Sequence, residues 1–157
     1  MELAQVNVAR LRAPLNTEPM REFVAALPRI NRHAEQSPGF VWRLRSEHEH
    51  GVSVTTDDGR LVFVNLSVWT SYQHLHTYVY RSGHGGFVRR RSEWFDPAPQ
   101  PSTALWWVQQ GTRPTVEAAL QRLRHLRGHG PSPRAFSLRR RFEADGSPVA
   151  RRRALHS

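Results

Sequence analysis

The residues best placed to do chemistry in this sequence are a spaced set of imidazoles and phenols and two asparagines set among tryptophans. His76, Tyr80 and His84 recur at four-residue intervals, which on a helix puts them on one face. An imidazole there can ligate a metal or move a proton near neutrality, because its ordinary pKa lies close to pH 7. Asn7 and Asn65 carry amides that can orient a ligand, or can satisfy backbone or each other across neighbouring strands. Glu47-His48-Glu49-His50 offers metal-ligand residue types, although crowded into one polar loop the same residues make a hydrated turn. Arg89, Arg90 and Arg91 cannot all face one way on a helix, and Glu93 is a natural partner for one of them. With no cysteine, disulfides, thiolate metal sites and Cys nucleophiles are excluded. No Ser-His-Asp arrangement, phosphate-binding glycine loop or HExxH occurs, so hydrolase, kinase and zinc-protease readings have no motif behind them.

These residues need elements to position them. Val6 and Val8 alternate with Gln5 and Asn7 across Leu3 to Leu11, which predicts a strand. Thr17 is placed to cap a helix over Glu18 to Gln36, with Pro28 expected to kink or divide it. Ser37-Pro38-Gly39 ends that helix, and Phe40 to Arg45 predicts a second strand. Val52 to Thr55 suits a short strand inside a polar loop, and Leu61 to Trp69 is the clearest strand of all. A helix is expected from Ser71, resuming toward Phe95, with Trp94-Phe95 as its hydrophobic anchor. Thr103 to Gln109 predicts a strand with Trp106 and Trp107 on opposite faces. Thr115 should cap a helix to Arg127, and Phe136 to Phe142 suits a last strand.

The order β-α-β-β-α-β with an α-β extension is the ferredoxin-like pattern: an α+β domain, an antiparallel sheet with helices on one face. One strand face collects Val6, Val8, Val62, Val64, Leu66, Val68 and Val108. The other collects Gln5, Asn7, Trp42, Phe63, Asn65, Ser67, Trp69, Trp107 and Gln109. A solvated face has no need of three tryptophans, and a dry core has no use for two asparagines. The first face is therefore core, and the second is expected to meet a partner sheet or a ligand.

The formal charge is +10, and all 23 basic residues are Arg. Residues 1–60 hold eight Arg and eight acids, so the excess lies in the remainder, at Arg89–Arg91, Arg139–Arg141 and Arg151–Arg153. Such a surface attracts anions, nucleic acid among them, but no aromatic-basic interleaving or helix-turn-helix signature accompanies it. The uncharged stretch from Leu61 to Tyr80 is interrupted by Asn65, Gln73, His74 and His76, and reads as strand plus helix, not a membrane span. Without a signal-peptide layout at Met1 to Val8, the expected location is cytoplasmic. One domain over 1–142 is expected, with 143–157 as a flexible Arg-rich tail.

Several of these segments are familiar together. Asn65-Leu66-Ser67-Val68-Trp69, Tyr80-Arg81-Ser82-x-His84, Arg89-Arg90-Arg91-x-Glu93-Trp94-Phe95 and Arg113-Pro114-Thr115-Val116-Glu117 resemble a bacterial family of domains of unknown function in the dimeric α/β-barrel superfamily. So does the opening Leu3 to Leu11. The resemblance implies a homodimer in which each subunit holds a small-molecule pocket between sheet and helices. Superfamily relatives include antibiotic-biosynthesis and haem-degrading monooxygenases. By that resemblance Asn7 and His84 become candidate catalytic residues, with His84 as candidate haem ligand. Trp69, Tyr80, Asn65, Trp107 and Arg81 become candidate ligand-binding residues, and Tyr78 is an alternative to Tyr80. Gly83, Gly85 and Gly86 flank His84, each an unfavourable residue inside a helix. Three readings follow: a monooxygenase-like small-molecule binder, a non-catalytic ligand-binding or interaction protein on the same fold, and an Arg-rich nucleic-acid binder.

Overall fold

A computed structural model describes residues 1–46, 51–81 and 90–150. Strand β1 (Glu2–Leu11) lies at the centre of a sheet, pairing antiparallel with β4 (Leu61–Trp69) on one side and β6 (Thr103–Val108) on the other. The edge beyond β4 is made by β2 (Phe40–Arg43) and β3 (Val52–Thr55), and the two-residue β5 (Phe95–Asp96) pairs with the end of β1. Leaving out the short β3 and β5, the spatial order β2-β4-β1-β6 is that of a ferredoxin-like antiparallel sheet, and the chain is an α+β domain.

Period-two alternation gives β1, β4 and β6 two unlike faces. On one, Val6, Val8, Val62, Val64, Leu66, Val68 and Trp106 are all buried, and α4 (Val116–His129) covers them with Ala119, Leu123 and Leu126. Thr115 caps this helix, accepting from the Ala118 amide at 3.1 Å. The opposite face is covered by α1 (Arg21–Glu35) and α2 (Tyr72–Arg81), which bury Phe23, Leu27 and Leu75. Helices therefore lie on both faces of the sheet, not on one as expected. The aromatic-polar face, expected to meet a partner sheet or a ligand, is covered by α1 and α2.

Four other expectations change. Pro28 does not divide α1, which runs unbroken from Arg21 to Glu35. Pro28 is exposed, so its ring meets solvent while Phe23 and Leu27 hold the buried side. Thr17 turns its hydroxyl back to Pro14 O at 2.5 Å instead of capping, and a 3-10 turn (Glu18–Met20) precedes the helix. Phe136 to Phe142 is not a strand. Phe136 makes one isolated bridge with Leu105, and the segment beyond leaves the sheet. Trp42 is on the valine face, packed against that cluster, because β2 bulges between Phe40 and Trp42. One extra residue moves the following side chain to the other face.

Two packing expectations hold. The anchor residues Trp94 and Phe95 are buried, Trp94 in the one-turn α3 (Arg91–Trp94). Trp106 and Trp107 point to opposite faces. The expected tail begins inside a tight turn: Glu143 N donates to Ser147 O at 2.7 Å and Val149 N to Arg141 O at 2.9 Å. No described helix is long and apolar enough to cross a membrane.

Candidate functional site

Where α1 and α2 lift off the sheet they leave a cavity of about 380 Å³. Its floor is the second sheet face: Gln5, Asn7 and Ala9 of β1, Phe63, Asn65, Ser67 and Trp69 of β4, and Thr103 and Leu105 of β6. Leu27, Ile30 and Asn31 of α1 form one wall, and Leu75, Tyr78 and Val79 of α2 another. Leu138, from the segment after α4, closes a further side. Asn65 is exposed although it sits mid-strand, because it opens into this space.

The floor carries an ordered polar ladder. Gln5 Nε2 donates to Asn65 Oδ1 at 2.9 Å and to Ser67 Oγ at 2.8 Å. Trp69 Nε1 donates to the same Ser67 Oγ at 2.9 Å. Asn7 Nδ2 donates to Thr103 Oγ1 at 2.6 Å. Asn7 and Asn65 stand opposite each other in register, yet each amide bonds elsewhere. The consequence is chemical. With its oxygen engaged by Gln5, Asn65 presents its NH₂ to the cavity; with its nitrogen engaged by Thr103, Asn7 presents its carbonyl oxygen. The floor thus offers one donor and one acceptor side by side.

Aromatic groups frame that edge. Tyr78 stacks on Trp69 with ring centroids 5.0 Å apart and an interplanar angle of 27°, and Phe40 meets Trp69 edge-on. Burial pushes the Tyr78 phenol above its ordinary pKa, so it stays protonated through the physiological range. Arg43 reaches the cavity as well, but its Nε donates to Glu35 Oε1 at 2.7 Å. That hydrogen bond holds the Glu35 carboxyl below its usual range, against a smaller opposing effect of burial. Among the described lining residues there is no Asp, Glu or His.

The structure brings together three of the expected site residues: Asn7, Asn65 and Trp69. It places three others elsewhere. Tyr80 is 73% exposed and stacks on His76 at 4.3 Å along the outer face of α2. Tyr78, one turn phase away, takes the inward position because Leu75 fixes which side of α2 is buried. Arg81 is exposed and is not among the lining residues. Trp107 is on the cavity side of the sheet, but the C-terminal segment covers it, and its Nε1 donates to Phe142 O at 2.7 Å. His84 and the Glu47–His50 cluster lie outside the described residues. Gln5 and Ser67, which strand alternation placed on this face, line the cavity as well, and Thr103 and Arg91 are lining residues to which sequence reasoning gave no site role.

A haem was among the cofactors the resemblance implied; the described wall offers an iron no imidazole or thioether, and His84, the ligand expected for it, lies outside the described residues.

The sequence matches a family model described as Domain of unknown function (DUF3291) over residues 2–152. No curated protein matches the chain. Among solved structures the chain is similar to SnoaB, a cofactor-independent oxygenase from Streptomyces nogalater. Identity is 18%, over 73% of this chain and 98% of that one, with a TM-score of 0.47. It is also similar to a monooxygenase from the gene ActVA-Orf6 of Streptomyces coelicolor, determined in complex with Nanaomycin D. Here identity is 15%, over 73% and 92% of the two chains, with a TM-score of 0.41.

Proposed function

The chain belongs to the DUF3291 family, a membership that brings no activity with it, and we propose that its cavity binds a flat aromatic small molecule by a hydrogen-bonding edge. One observation carries this reading: a donor from Asn65 and an acceptor from Asn7 set side by side on a floor flanked by Trp69, Tyr78, Phe63 and Phe40. Apolar walls with a few convergent polar groups are the usual composition of a small-molecule site. The chemistry we attach to the site is of the monooxygenase type, with the ligand as source of electrons. A ring methylene and dioxygen would give a ring carbonyl and water, which balances without a further reductant. The monooxygenases among the superfamily relatives that the sequence resemblance implied support that class.

A second reading, binding without turnover, is favoured by a specific observation. No group able to remove a proton near neutrality lines the described wall.

Calorimetric titration tests the binding. 2-Naphthol should bind saturably, naphthalene more weakly, and Asn65→Leu should lower naphthol affinity about tenfold, the usual scale for one lost buried hydrogen bond. Equal affinity for the two probes, unchanged in Asn65→Leu, would overturn the reading. An oxygen electrode with an anthrone probe then separates the two versions: uptake above the protein-free rate supports oxygenation, and no uptake supports binding alone.

The homodimer expected from the sequence belongs to the same proposal. Both sheet faces are covered within one chain, so its contact surface would lie on edges or helices. Light scattering should give about twice the chain mass of 18.1 kDa, and a clean monomer removes the dimer.

A further inference from the structure

We infer that the cavity is selective for an aromatic ligand bearing one negative charge, read by Arg91. This inference rests on the aromatic-binding reading above and adds the ligand's charge. Two arginines, Arg43 and Arg91, line the cavity. Arg43 is paired in place, with its Nε 2.7 Å from Glu35 Oε1. Arg45 shares that carboxylate, and Arg90 pairs with Glu22 and Glu93.

Arg91 differs. It has no carboxylate partner among the described residues, and no described lining residue is acidic. Its guanidinium lies over the ring of Phe95, 5.6 Å from the centroid, and Phe95 is itself a buried part of the cavity wall. That contact is a cation–π interaction, which draws the charge of the exposed Arg91 toward the wall. The site therefore has aromatic walls, a donor and acceptor on its floor, and at its rim the positive charge of Arg91, with no carboxylate beside it among the described residues. Its complement is a planar ring with a polar edge and a single anionic group, a carboxylate or phenolate. An arginine fork matches a carboxylate with two parallel hydrogen bonds, which a neutral amide cannot reproduce.

The test compares two probes of nearly equal shape, naphthalene-2-carboxylate and naphthalene-2-carboxamide, by calorimetry at pH 7. Wild type should prefer the carboxylate by about tenfold, the scale of one partly exposed charge-assisted hydrogen bond. Arg91→Gln should abolish the preference while leaving carboxamide affinity as it was, and Arg91→Lys should retain part of it. Arg29→Gln, an exposed charge loss on α1, should leave the ratio unchanged, and raising the salt concentration should shrink it. A preference that survives Arg91→Gln overturns the inference. Equal binding of both probes by wild type also overturns it, with the aromatic-binding reading intact. If neither probe binds, both fall.

Discussion

The same three strands build two compartments that differ in almost every physical respect. On the valine side, the buried residues of β1, β4 and β6 are apolar and pack against Ala119, Leu123 and Leu126 of α4. On the other side Gln5, Asn7, Asn65 and Ser67 occupy equivalent strand positions, and the helices above them stand off far enough to leave about 380 Å³. Close packing forgives little, since a lost methylene costs both transfer energy and a void. The cavity side is held instead by hydrogen bonds that run along its floor and by aromatic contacts at its rim. One face secures the fold and leaves the other free to be polar, hollow and chemically specific.

That contrast can be broken or sharpened by four measurements. The largest effect is expected from Leu123→Ala, which opens a void under α4 where the side chain is 1% exposed. Denaturant unfolding should show a loss of about 3 kcal/mol, with naphthol affinity unchanged once the protein is folded. A loss below about 1 kcal/mol would mean that the valine face is not the tightly packed one.

Gly39→Ala comes next, at about 2 kcal/mol. Gly39 has φ +82°, and a Cβ there would stand 2.2 Å from Cγ of His74, whose ring is bonded to Thr70 and Ser71. The cavity side thus has a point as intolerant as the core, at the turn that leads into β2. A neutral outcome in thermal melting would show that α2 can shift freely.

Gln5→Leu should cost about 1 kcal/mol or less, because the acceptors it abandons can turn to cavity water. It should nevertheless weaken naphthol binding, since nothing then fixes the Asn65 amide. A large stability loss with unchanged binding would reverse the proposed division of labour between the faces.

The smallest effect is confined to alkaline pH. The folded Tyr78 phenol has a pKa above its ordinary value of 10.0, owing to burial. A raised folded value means its contribution is fully present below the unfolded pKa and is lost as pH rises through the folded one. Wild type should therefore lose stability relative to Tyr78→Phe once pH exceeds about 10, with the two curves parallel below that. Parallel curves throughout would place the phenol in water.

Most of the framework was legible in the residue pattern. Alternation in Leu3 to Leu11 and Leu61 to Trp69 identified the central strands and sorted Asn7, Asn65 and Trp69 onto one face, where the cavity is found. What escaped has identifiable physical causes. The bulge at Phe40 to Trp42 leaves no trace in periodicity, so Trp42 was assigned to the wrong face. On α2 the four-residue spacing of His76 and Tyr80 is real, and they do stack, but on the exposed side; Leu75 decided the helix phase. Arg81 and Arg91 are equivalent as residue types, and only the tertiary placement of Arg91 over Phe95 separates them. Trp107 was assigned to its correct face, but its cover comes from Phe142, too distant in sequence for local reasoning to foresee.

The seat of Leu138 in the cavity wall has a consequence in time. β1 is made before β4 and β6 and sits in the middle of the sheet, where it must wait for both before its edges are satisfied. The cavity waits longer still, because Gln5 on its floor and Leu138 on its side are separated by nearly the whole length of the chain. During synthesis the binding site is thus completed only after β1, β4, β6 and α4 have all been made. A chain ending after α4 would lack Leu138, and with it a complete place for a ligand.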